Sequence, residues 1–354
     1  MHVSCSTIAY RTPGVMTGCL MLLLLSMECP AQDALFPVLV GGRGGYIDES
    51  GHMVIPPEFL ESHPFSDGLA LVRKGKDPQL SDSRLGYVDR KGQFHDVPRA
   101  DVLGEYREGL ARALFPSSGL FFRTHWCFID PAGSVVIRTG YDDVGDFSEG
   151  LAWVEEKVHF LFFLISDKHG YIDRTGTLVI PLRFESAGSF SEGRANVTLD
   201  GKKGFINHRG DIVIPPRYES VGSFSMGLAP VRLDGRWGFV DTLGSLVIPP
   251  AFQDARPFAE GLAAVKSAGS WGFVRRSGEM AIAPSYGDVS GFHQGLSAVQ
   301  AGEKWGYIDT TGAFRIRPQF DHALAFAHGV AMVDVADSRA YIDVKGNYIW
   351  PPGN

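Results

Sequence analysis

Trp237-Gly238-Phe239-Val240-Asp241-Thr242-Leu243-Gly244 is the phrase on which the reading of this chain turns, because variants of it return along nearly the whole 354-residue sequence. Its central aromatic recurs at Tyr46, Tyr87, Phe128, Tyr171, Phe205, Phe239, Phe273, Tyr307 and Tyr341, and the last five intervals are all 34 residues. A fixed period of this size marks one supersecondary unit copied and stacked, so the core lies between neighbouring copies. Working outward from the fifth copy, Arg194 to Leu199, Gly204 to Asn207 and Ile212 to Ile214 are short β-rich runs separated by Gly-containing turns. No segment holds a helical period long enough to compete, and the chain reads as all-β.

A second phrase, aromatic-x-x-Gly-aliphatic-Ala/Ser, begins at Phe65, Tyr106, Phe147, Phe190, Phe224, Phe258, Phe292 and Phe326, always 19 residues after the first aromatic. Its glycine suits a positive φ that turns the chain back into a strand, with the aromatic as an apolar anchor. The Asp-x-x-Gly end of the first phrase, as in Asp309 to Gly312, suits a turn capped by its own carboxylate. One carboxylate per unit falls far short of the six to eight oxygens of a calcium site. The Ile-Pro-Pro run at Pro215-Pro216 or Pro249-Pro250 reads as an end to strand pairing, because proline lacks the donor that extends a ladder.

With the following Ile-Pro-Pro and Phe-x-x-Gly-Leu-Ala phrases, the segments Trp237 to Asp241, Trp271 to Val274 and Trp305 to Asp309 resemble the WG-repeat (KWG) family from about Leu35 to Pro352. Departures are Gly44, Leu85, His169, Lys203 and Arg339 in place of Trp, and Cys127 and Ala340 in place of Gly. The resemblance implies a bacterial, often exported β-repeat protein without a general enzymatic activity, and it carries over no catalytic residues.

Nine units of about three strands, starting with a first-type strand at residues 35–40 and ending with a third-type strand at residues 348–350, leave no split unit to seal a propeller. The expectation is therefore an open, twisted β-solenoid or superhelix of about nine three-stranded antiparallel units, with a closed propeller-like ring as the alternative. Arg11, the apolar stretch around Leu20 to Met27, and Cys29-Pro30-Ala31 read as a signal peptide over residues 1–31, cleaved before Gln32, with the repeat array at 32–354. Export to the periplasm, surface or medium follows, with a retained N-terminal membrane anchor as the alternative. Of four cysteines only Cys127 follows that segment, so an internal disulfide in the mature chain is excluded.

A net charge of −7 without a basic run gives nothing to attract nucleic acid. No cofactor or metal is implied: no His-Glu-x-x-His or Gly-x-Ser-x-Gly occurs, and Gly41 to Gly45 aligns with the ordinary turn Asp200 to Gly204. The interval from second to first aromatic is 15 residues in the last five cases, but 22, 22 and 24 after Phe65, Tyr106 and Phe147. Aligned insertions in a repeat array often form the binding face. Phe121, Phe122, Phe160, Leu161, Phe162, Phe163 and Leu164 make the two longer hairpins apolar enough to contact another envelope or extracellular protein, or a membrane. The bland alternative is that those hairpins only pack on each other. A separate reading stacks Trp237, Trp271 and Trp305 as a flat row for cell-wall glycan, against the alternative that alternation buries them beside Phe239, Phe273 and Tyr307.

Overall fold

The computed structural model describes residues 34–76, 83–116, 126–160 and 163–353. The unit around Phe239 shows how its residues dictate the form. Leu228–Leu233 pairs antiparallel with Arg236–Asp241, from Leu228↔Asp241 to Leu233↔Arg236. Asp234 and Gly235 link them at φ 50° and 74°, the left-handed pair that a tight two-residue hairpin requires. Asp241 Oδ1 then accepts the backbone N–H groups of Leu243 and Ser245 at 2.9 and 2.8 Å, closing the turn as its sequence predicts.

The proline run does not stop the next strand, contrary to the sequence expectation: Leu246–Phe252 continues through Pro249 and Pro250. Its pairing instead slips, with Phe239 opposite Ile248 and Trp237 opposite Phe252, so the bulge takes up the residues that cannot donate. That bulge presses on Gly238, where an added Cβ would lie 2.4 Å from the Ile248 carbonyl oxygen. The glycine of the Trp-Gly phrase is thus a close-approach residue. A further short strand, Ser220–Val221, pairs with Arg232 and Val231, making four strands where the sequence suggested three.

Among the described residues, thirty-three such strands form eight sheets: one of six strands, six of four and one of three. The six-stranded sheet carries two copies of the phrase because Met53–Ser66 runs unbroken from one copy into the next. Between successive copies the two aromatics meet at a steep angle, as in Phe239–Phe258 at 5.0 Å and Tyr307–Phe326 at 4.7 Å. Where the first is tyrosine, its hydroxyl donates to a carbonyl 17 residues downstream, Tyr171 to Gly188 and Tyr307 to Leu324, both at 2.8 Å. Carboxylates bind turn to turn as well: Glu192 accepts from Met226 and Gly227, and Glu260 from Gln294 and Gly295.

The ends of the array overturn the open solenoid. Tyr341 has no copy after it, yet its hydroxyl donates at 2.5 Å to the carbonyl of Pro37, and its ring lies 5.9 Å from that of Phe36. Val38 and Ile47 share a core cluster with Val330 and Tyr341, backed by Ile349 and Trp350. First and last units are therefore neighbours, and residues 34–353 form a β-propeller ring of eight sheets. The physical reason for the miss is the kind of seal. A ring can be locked by sharing strands within one sheet, which needs a split unit. Here the lock is face-to-face packing, with Phe36 supplying the aromatic. Phe36 stands opposite Ile47 in the register where Ala70, Ala195, Ala229, Ala263 and Ala331 stand in other copies.

Candidate functional site

One hairpin breaks the uniformity of the ring. Leu151–Phe160 and Phe163–Asp173 pair from Leu151↔Asp173 out to Phe160↔Phe163, whereas the regular hairpin ends six pairs out at Leu233↔Arg236. At about 3.4 Å per residue, four further pairs extend the arm by roughly 14 Å. On one side Asp143–Val144 pairs only with Glu155 and Val154. On the other, Leu178–Phe184 reaches only as far as His169. Beyond these the arm is a two-stranded ribbon, with a register shift between Val158 and His159.

Its base is rigid. The rings of Trp153 and His169 lie 5.8 Å apart, and Asp142 Oδ2 accepts the backbone N–H of Lys157 at 2.7 Å. Burial holds the His169 imidazole below its ordinary pKa, with Glu155 and Asp167 pulling the other way. A neutral ring there fixes the arm's root without adding charge.

Of the residues singled out in the sequence, Phe160, Phe163 and Leu164 fall in the paired ribbon, with Leu164 opposite His159. Leu161, Phe162, Phe121 and Phe122 lie outside the described residues. Of the two longer insertions, the described geometry is that of the paired strands Leu151–Phe160 and Phe163–Asp173.

The tryptophan row is not a shelf. Trp271 and Trp305 are 4% and 8% exposed, each inside a core cluster, and Trp237 is half-buried against Phe239 and its neighbours. The Arg256 guanidinium covers Trp271 at 4.5 Å. Stacking in register, which the 34-residue spacing suggested, buries Trp271 and Trp305 between one sheet and the next.

Cys127, standing in for a phrase glycine, is buried and its thiol donates to the Ala113 carbonyl at 3.3 Å. Burial pushes the thiol up to about 11, so a thiolate nucleophile is not available at neutral pH. Among the described residues no group of three or more His, Cys, Asp or Glu could hold a metal ion. No helix among them is long and apolar enough to cross a membrane.

The WG containing repeat model matches residues 45–76, 126–157, 170–202, 204–237, 237–269, 271–305 and 305–336, which is more than half of the chain. The chain belongs to the WG-repeat family. Comparison with curated proteins gave no match. Solved structures that resemble the fold include a puromycin hydrolase, 14% identical over 79% of this chain and 58% of that one, with a TM-score of 0.37. Apo AztD from Citrobacter koseri is 11% identical over 80% of this chain and 93% of its own, TM-score 0.43. The β-propeller domain of the Trilobed protease from Pyrococcus furiosus, described as having an open velcro topology, is 9% identical over 90% and 94%, TM-score 0.38. This chain spans less than two thirds of the puromycin hydrolase.

What sequence reasoning missed is the seam between first and last units. The signal was present: a bulky Phe36 in a column that is otherwise almost all alanine.

Proposed function

We propose that this propeller is a non-catalytic scaffold that docks another protein of the bacterial envelope through the arm formed by residues 151–173. The observation that carries this reading is the arm itself, a ribbon that outruns its flanking strands out to Phe160↔Phe163, in a stretch whose sequence runs Phe160-Leu161-Phe162-Phe163-Leu164. Five consecutive apolar residues have the composition of a buried contact centre, and large aromatics supply most of the energy at such centres. Export rests on the N-terminal sequence, and mass spectrometry of the cell-derived protein should find a chain beginning at Gln32.

The arm is tested by replacing residues 159–165 with an Asn-Gly turn and repeating capture from detergent-solubilised envelope. We expect the full chain to retain a discrete partner that the shortened chain loses, at an unchanged unfolding midpoint. Equal capture by a shortened, folded chain sinks the proposal.

A further inference from the structure

The seam departs from the repeat in chemistry as well as in packing. At a regular junction the ring of Phe258, five residues before Ala263, fills the space beside Phe239. The corresponding position five before Phe36 is Ala31, and Phe36 reaches Tyr341 from 5.9 Å, farther than the 4.6 to 5.1 Å of the regular pairs. The tryptophan that seals the preceding junction, Trp305, has Arg339 as its counterpart here.

A cavity of about 440 Å³ opens between the two ends, walled by Phe36, Phe65, Val330, Met332 and Tyr341 and bordered by Arg90, Arg339 and His328. None of its described lining residues is acidic, in a chain whose net charge is −7.

Both arginines are placed by the repeat. Arg90 follows the phrase aspartate, the position from which Arg174 donates to the Glu108 carbonyl at 2.6 Å and Arg276 to the Met226 carbonyl. Arginines at this position thus reach back to the turn of a preceding junction, and Arg90 lines the seam cavity. Its guanidinium lies over the Phe65 ring at 5.5 Å. Arg339 stands opposite Asp334, but the Asp334 carboxylate faces His322 at 3.8 Å, and Arg339 has no ion-pair partner among the described residues.

Apolar walls with cationic groups on one border recognise a molecule of matching polarity, and the volume falls within the range of small-ligand pockets. The geometry points to a binding site in the seam for an organic anion with an apolar body, such as an aromatic or acyl carboxylate or sulfonate. Its apolar part lies against Phe36, Phe65 and Met332, and its charge meets Arg339. An isolated carboxylate is costly to remove from water, and the Arg339 guanidinium offsets that cost through a charge-assisted hydrogen bond. The site stands on the seam alone, so it survives or fails independently of the docking arm.

The test uses two fluorescent probes on the full chain, the anionic 8-anilinonaphthalene-1-sulfonate and the uncharged N-phenyl-1-naphthylamine. We expect one saturable site that binds the anion roughly tenfold more tightly, the scale of one charge-assisted contact. Arg339→Gln should bring the anion to the affinity of the neutral probe. Met332→Trp, which fills the cavity, should abolish both, with Ala325→Trp at the cavity border as a second filling variant should the first fail to fold. Equal affinity of the two probes in the native chain, or anion binding untouched by Arg339→Gln and a filling variant in folded protein, overturns the proposal.

Discussion

Gly238 shows what a single residue of the repeat has to satisfy. The bulge at Ile248 to Pro250 brings a carbonyl and a proline nitrogen within 2.4 and 2.7 Å of where its Cβ would be, and both are backbone atoms that cannot swing aside. Gly238→Ala should therefore destabilise the ring by about 1–3 kcal/mol, the usual cost of overpacking, and calorimetry should show a lower unfolding temperature. Cys127 is the internal control. It occupies the same place in its unit, where the facing strand Val135–Arg138 holds no proline. An unchanged unfolding temperature in Gly238→Ala would mean that the bulge moves freely. Residue-scale chemistry was legible where it was local: Asp241 caps its own turn, and Gly227 and Gly261 have the positive φ that the second phrase suggested. Close approach at Gly238 was not legible, because the atoms that forbid a side chain arrive from another strand. The burial of Trp271 and Trp305 was one of two readings that strand alternation left open.

At the scale of elements, the first strand, Phe36–Val40, does two jobs. It pairs with Arg43–Ile47 inside its own sheet, and it gives Phe36 and the Pro37 carbonyl to the last unit. Phe→Ala at a fully buried site costs about 3–5 kcal/mol, and since Phe36 is half-buried about half of that is expected for Phe36→Ala. The loss should be local first. Hydrogen exchange should quicken at Val38 and Tyr46 while Val231 and Phe239 remain protected, as expected when one junction of a ring is weakened. Protection at Val38 equal to that of the native chain would show that Phe36 does not hold the seam. Strands such as Ile212–Tyr218 were partly legible from their β-branched residues, but their continuation through proline was not, since the rule that proline ends pairing ignores a bulge that absorbs it. The fourth strand escaped because two residues, Ser220–Val221, are too short to show a period.

Closure is a property of the whole molecule, and the order of the repeats did not reveal it because the sealing contact joins residues 304 apart in sequence. Its chemistry nevertheless has a readable consequence at high pH. Tyr46, Tyr87, Tyr106, Tyr171, Tyr307 and Tyr341 are distributed from the first unit to the last, each donating its hydroxyl to a main-chain carbonyl. Burial raises all six above the ordinary value of 10, and Tyr341 the least, to about 12, with Arg339 partly offsetting the burial. The folded ring keeps protons that the unfolded chain gives up above pH 10, so this stabilisation is complete below that pH and is lost as the pH climbs through the folded values. The tyrosinate absorbance of these six and β-sheet circular dichroism should therefore change together as the pH approaches 12, after the exposed tyrosines such as Tyr348 have contributed, because a phenolate at the Tyr341–Pro37 contact removes the donor that seals the ring. Tyr341→Phe keeps the ring packing against Phe36 but cannot ionise, and it should move the alkaline midpoint upward while slightly lowering stability at neutral pH through the lost hydrogen bond. A midpoint unchanged by Tyr341→Phe would place the first alkaline opening at one of the other five tyrosines, and a tyrosinate signal that rises gradually while the sheet signal holds would mean these hydroxyls exchange with solvent in the closed ring.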